Sequence, residues 1–370
     1  MERDVKIALC LPGGGATGAM FQIGALAALE DSVSGFQAHE LDLYVGSNSG
    51  ASVAAALAGG KPVQRLYRAL LDPADAYFGL ERKHLLRVDF EEYKRTVRSA
   101  ASTIRQGVKS LLARGELRTP PSFWEEVDRL SDALPAGLFT LEAYEHFLED
   151  FFVRRGVPNS FVAMPRTLRI LAHDLDSGEP VVFGDGGFED VPVTRACTAS
   201  MAVPPFFSPV GIRGRYYIDP GAGQVRHWEV ARSAAADVAI FVNPMVPIRI
   251  AASGVNGGSS LQSRGMLWIV NQAIRIGLTS LARAVPAPRP NEPGLSALTI
   301  EPEPADTEMF LSNPASFAAR RTILEQSYRT TRTLLARYFA EEHPVLARAG
   351  FRQAEAAPLS VRPSRPAALP

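Results

Sequence analysis

The chain alternates short apolar runs, each closed by glycine or proline, with longer stretches whose apolar residues recur every three or four positions. Residues 5–11 are the first such run, of strand length, and Pro12 with three glycines ends it. Phe21, Leu26 and Leu29 then recur at helical spacing. A second apolar run lies at residues 41–45, and Ser49–Ala58, alanine-rich and free of proline, closes on Gly59-Gly60 as a helix does. Strand, turn and helix, repeated twice, predict an α/β fold with a mostly parallel sheet covered by helices.

Residues 61–158 turn helical and more charged. Within 91–114, Val97, Ala101, Ile104, Val108 and Leu111 make one stripe, and Lys94, Arg98, Arg105 and Lys109 fall on another face. Strand-like runs return at 169–172, 180–183, 215–218 and 238–242. A Gly/Ser loop at 253–260 leads to an amphipathic segment over 261–281. Its Leu267, Val270, Ile274, Leu278 and Leu281 share a face from which Arg264, Asn271, Arg275 and Arg283 are absent. A long helix is predicted over 315–339, within a helical extension spanning 246–345. The tail at 353–370, rich in Pro, Ala and Arg, has the composition of a disordered segment.

Charge and cysteine content narrow the classes. Lys+Arg and Asp+Glu are both 39, so no net field draws in nucleic acid. Cys10 and Cys197 give neither a disulfide framework nor metal spacing, and buried free thiols are expected, with no metal and no cofactor. The apolar run at the start is too short for a secretory signal, and no stretch reaches transmembrane length. A cytoplasmic protein that touches membranes from the side is the expectation.

Two strand-to-helix turns carry the candidate chemistry. Gly46-Ser47-Asn48-Ser49-Gly50 is read as the glycine–x–serine–x–glycine elbow of an esterase, with Ser49 as nucleophile. Such a serine sits on a strained turn where only small neighbours fit, and a helix N-terminus behind it favours developing negative charge. Gly13-Gly14-Gly15-Ala16-Thr17-Gly18 follows a strand and opens a helix, so its amides can converge on one anion. A phosphate loop would need Gly-Lys-Ser/Thr, which is absent. An oxyanion loop of Gly13, Gly14, Gly15, Ala16 and Gly18 beside a serine elbow flanked by Gly46 and Gly50 accounts for both turns. For the base there are two kinds of candidate. His173 and His227 are the histidines nearest to suitable turns. Asp219 ends a strand-like run before Pro220-Gly221, where an α/β sheet binds ligands.

Four blocks, in order, resemble the patatin-like phospholipases. Residues 12–18 resemble the oxyanion block, 46–52 the nucleophile elbow, 196–210 an Ala-Ser-x-Ala-x-Pro segment, and 217–221 the Asp-Gly-Gly or Asp-Gly-Ala block. His173-Asp174-Leu175-Asp176-Ser177-Gly178 resembles a further turn of that family. The resemblance implies a three-layer α/β/α domain over about 5–245, with a helical insertion at 61–158. It implies a Ser49–Asp219 dyad without histidine: Ser49 attacks the ester of a lipid, Asp219 takes its proton, amides around Gly14 and Gly15 hold the oxyanion, and water releases the acyl group. A Ser–His–Asp esterase using His227 or His173, or a weakly catalytic lipid-binding relative, are the alternatives. Three positions depart from the family pattern: Thr17 for Arg or Lys, Pro220 for glycine, and Arg226-His227-Trp228 where Asn and Pro are usual.

Overall fold

The computed structural model describes residues 5–72, 74–78, 84, 87–88, 136–221, 223–250, 260–285, 288, 294–312 and 316–355. The basic segment expected at 91–114 lies outside them, as does the tail from 356. Strand β1 (Ile7–Leu11) is buried at all five positions, as a strand covered on both faces must be. It is flanked in parallel by β2 (Leu43–Gly46) and β9 (Val238–Val242); β5 (Thr167–Asp174) and β10 (Ser296–Ile300) extend the parallel set outward. On the far side, β6 (Pro180–Phe183), β7 (Val210–Ile212) and β8 (Arg215–Ile218) join antiparallel, giving the order β10-β9-β1-β2-β5-β8-β7 with β6 on β5. A short pair, β3 (Arg87–Val88) and β4 (Phe139–Thr140), stands apart.

Alternation along β1 divides the core. Ile7, Leu9 and Leu11 join one cluster with helices α1 (Gly15–Ser32), α2 (Ser49–Ala58), α3 (Val63–Leu71), α4 (Glu142–Arg155) and α5 (Val193–Met201). Ala8 and Cys10 join another, with Trp228, Val230 and Ala231 of α6 (Gly223–Ser233). Helices therefore cover both faces of a mostly parallel sheet, as predicted. Helix α1 has no polar side along its middle and is buried nearly all round. One neighbour is the long α8 (Phe317–Ala340), and Gly24 permits the approach: a Cβ there would lie 2.7 Å from the Leu324 carbonyl oxygen.

The expected C-terminal helical extension differs from what forms. Ser296–Ile300 pairs in parallel with β9, and Ile323 and Leu324 of α8 are fully buried in the main cluster, so β10 and α8 complete the central fold. The start of the predicted tail is also attached. Beyond α9 (Pro344–Arg348), Phe351 packs edge-on against Phe36 and Gln353 bridges to Val33. Cys10 and Cys197 are free and buried, as expected.

Candidate functional site

Parallel neighbours carry their loops to the same edge of a sheet. The turn after β1 and the turn after β2 therefore lie side by side, tied by the Ser47 amide donating to the Leu11 carbonyl at 3.0 Å. Close approach requires the flanking glycines: a Cβ at Gly50 would collide with the Leu11 and Pro12 carbonyls, and one at Gly46 would lie 2.6 Å from the Ala51 Cα. Asp219 follows β8, its amide donating to the Ala202 carbonyl at 2.9 Å.

The residue at the apex of the elbow is Asn48. It has φ 52° and ψ −131°, a conformation an L-residue adopts only when its surroundings impose it, and α2 starts at the next residue. That strained strand-to-helix position is where an esterase elbow carries its nucleophile. The sequence assignment of Ser49 is thus one position out of register. In glycine–x–serine–x–glycine the serine is two residues from each glycine, and between Gly46 and Gly50 that place belongs to Asn48. Ser49 is the first residue of α2; its Oγ is buried, has no hydrogen-bond partner among the described residues, and does not line the cavity.

Asn48 stands between the glycine turn and the carboxylate. Its Oδ1 accepts from the Gly15 amide at 3.1 Å and from the Gly14 amide at 3.4 Å. Its side chain also lies beside the Asp219 carboxylate and favours that group's charged form. Only one orientation of the carboxamide satisfies both sides, with oxygen to the amides and nitrogen to the carboxylate. Gly13 leaves room for this, since a Cβ there would lie 2.7 Å from the Asn48 Cβ. Ser200, in the matched 196–210 block, fixes the apex from below. Its Oγ accepts from the Asn48 amide at 2.8 Å and donates to the Leu171 carbonyl at 2.6 Å. The Ala-Ser-x-Ala-x-Pro segment contains Ser200 without assigning it a role, whereas counting inward from Gly46 and Gly50 finds Asn48.

Asp219 lines the cavity wall. Desolvation pushes its carboxyl up to about 6, partly offset by the Gly221 amide, which donates to Oδ1 at 2.9 Å, and by Asn48. Pro220 therefore leaves the turn intact, because the donor it lacks is supplied by Gly221. Thr17 turns its hydroxyl back on the Gly14 carbonyl at 3.3 Å. Gly18 stands against the Pro244 ring, 3.1 Å from where a Cβ would be, and supports the turn without facing the cavity. Neither histidine candidate reaches the cavity. Burial lowers the pKa of His173, partly offset by the neighbouring Pro220 backbone. His227 is fully buried against Phe241 under the other face of the sheet.

The remaining walls of the cavity, of about 210 Å³, are apolar: Met201, Val203, Phe206, Met245, Ile274 and Leu278 among them. Ile274 and Leu278 belong to α7 (Met266–Ala284), as does Asn271 at the rim. The amphipathic segment read at 261–281 thus borders the site.

Residues 9–232 match the sequence profile of the patatin-like phospholipases. The chain belongs to the patatin-like phospholipase family. That family's enzymes are carboxylic ester hydrolases acting on lipids, as the resemblance implied. No curated protein sequence matches the chain. Similar solved structures include VipD from Legionella pneumophila (16% identity, TM-score 0.36, covering 90% of this chain and 67% of that one). Full-length ExoU of Pseudomonas aeruginosa, in complex with SpcU, is similar at 17% identity and TM-score 0.34, over 91% and 53%. Human GIVD cytosolic phospholipase A2, in complex with methyl gamma-linolenyl fluorophosphonate, is similar at 14% and 0.36, over 94% and 60%. The chain spans about half to two thirds of the length of these proteins, and likenesses at such scores carry no functional weight. Among the described residues, no helix is long and apolar enough to cross a membrane, and no cluster of side chains has the makings of a metal site.

Proposed function

We propose that this patatin-like chain holds a lipid acyl ester in the apolar cavity, with the ester end at the Gly14–Gly15 turn, and that it lacks the acyl-serine step. The observation that carries the reading is the Asn48 carboxamide, hydrogen-bonded to the Gly14 and Gly15 amides and set beside the Asp219 carboxylate. Serine acyl transfer needs an oxygen nucleophile whose proton passes to a base. A carboxamide nitrogen shares its lone pair with the adjacent carbonyl and supplies neither.

The rest of the apparatus supports an acyl-ester site. Asp219, with its raised pKa, faces an apolar cavity, and two amides converge at the turn. An ester carbonyl that takes up those amides must displace Asn48 Oδ1. Hydrolysis then runs only through water deprotonated by Asp219, with no covalent intermediate and without the share that a positioned nucleophile contributes. The expectation of a Ser49–Asp219 dyad gives way to Asn48–Asp219.

An acyl fluorophosphonate probe tests this. Intact-mass measurement should find the wild-type protein unmodified while a fluorescent acyl ester binds saturably. Stoichiometric modification on Ser49 would overturn the reading.

A further inference from the structure

Helix α7 is built the wrong way round for a helix that faces water. Between Gly265 and Ala282 the sequence has one charged residue, Arg275, and it is 2% exposed. The guanidinium is turned inward, where it donates to the Pro244 and Val246 carbonyls at 2.8 and 2.9 Å and to Asn271 Oδ1 at 2.9 Å. It lies 4.9 Å over the Phe310 ring, and burial pulls its pKa down to about 10. The apolar residues face out. Met266 is 71% exposed, Ile269 48%, Ile276 51% and Leu281 44%. Surface helices of globular proteins show the opposite arrangement, and burying an arginine without a carboxylate is unfavourable unless its donors are all but satisfied. The inward bonds of Arg275 pin the helix in this orientation.

We infer that the outer face of α7 docks on an anionic lipid surface. Three observations select that occupant. The face and the cavity share one helix, since Ile274 and Leu278 line the cavity, so a lipid anchored on the face reaches it along α7. The stretch of chain that contains the helix carries charge of one sign: between Asp237 and Glu292 the sequence has no acidic residue and five arginines (Arg249, Arg264, Arg275, Arg283, Arg289), in a chain whose total charge is zero. Arg264 and Arg283 stand at the two ends of the uncharged face, where headgroup phosphates would meet them. An apolar face bordered by basic residues is how a helix lies in a membrane interface.

Co-sedimentation with mixed phosphatidylcholine–phosphatidylglycerol vesicles tests the inference, with pure phosphatidylcholine as the comparison. Wild type should sediment with the anionic vesicles, and added salt should release it. Ile269→Glu and Ile276→Glu, both at exposed sites, should each weaken partitioning about ten- to thirtyfold, from lost apolar contact plus repulsion. Val162→Glu, at a site 82% exposed elsewhere, should change nothing. Failure of wild type to sediment overturns the inference, as does equal loss in all three variants. So does gel filtration showing a dimer that Ile276→Glu dissociates, because the face would then belong to a second copy. The inference rests on the acyl-cavity reading, and uptake of a soluble fluorescent acyl ester without vesicles keeps the two apart. Uptake without sedimentation defeats the surface alone, and absence of uptake defeats the cavity reading.

Discussion

Replacing Asn48 by serine puts a hydroxyl at the strained apex and removes the carboxamide that now occupies the site. Two amide donors are released, those of Gly14 and Gly15, which sit 3.4 and 3.1 Å from Asn48 Oδ1. The Asp219 carboxylate loses its Asn48 partner and gains a hydroxyl proton to accept. Each oxyanion donor is worth about 10²–10³ in kcat, and a general base about 10²–10⁴. Asn48→Ala releases the same donors without a nucleophile and separates the two contributions. Hydrolysis of p-nitrophenyl butyrate by Asn48→Ser should exceed that of wild type and of Asn48→Ala by at least about a hundredfold, the lower bound for a working base. The acyl fluorophosphonate should then modify position 48. The result that would refute the reasoning is a folded Asn48→Ser protein no faster than Asn48→Ala. A wild type that hydrolyses the ester rapidly and loses that activity on Ser49→Ala would refute it equally.

Ser49→Ala should leave ester binding unchanged and raise the melting temperature slightly, because it removes a buried hydroxyl without a partner, worth about 1 kcal/mol; calorimetry checks this. Ser200→Ala should lower stability by about 2–3 kcal/mol in chemical denaturation, since it orphans the Asn48 amide and the Leu171 carbonyl together. For Asp219 the folded pKa of about 6 lies above the unfolded value of about 3.9, so the folded state holds the proton more tightly. The contribution of this carboxyl to stability is complete below pH about 4 and is lost as pH rises through about 6. Asp219→Asn should remove that pH dependence, measured as the difference in unfolding free energy from wild type across pH 4–8.

The parallel core strands could be read from residues 5–11, 41–45 and 238–242, because strands buried on both faces are apolar runs of strand length. Ser296–Ile300 is not legible as a strand: Ser296 and Thr299 interrupt its apolar run, and it finds its place only by pairing with β9 far back in the chain. Position at a strand end made Asp219 a candidate, and the family resemblance set it above the histidines. Asn48 was obscured by the serines on either side of it, and the apex is set by backbone geometry that a residue type does not announce. The α7 stripe was half right. Ile274 and Leu278, read on one face, do share the cavity wall, while Leu281 of the same stripe is exposed and Arg275, read off that face, is buried. Helical spacing identifies the faces of α7 but not which one turns inward; that is decided by the Pro244 and Val246 carbonyls, which need the donors Arg275 brings.

The central claim is that the cavity binds an acyl ester that Asn48 leaves without a nucleophile. It is tested most directly by incubating wild-type protein with a radiolabelled acyl ester, isolating the complex by gel filtration and extracting the lipid. Recovery of intact ester in near-stoichiometric amount is the predicted result. Recovery of free fatty acid, or of label covalently attached to Ser49, would contradict it.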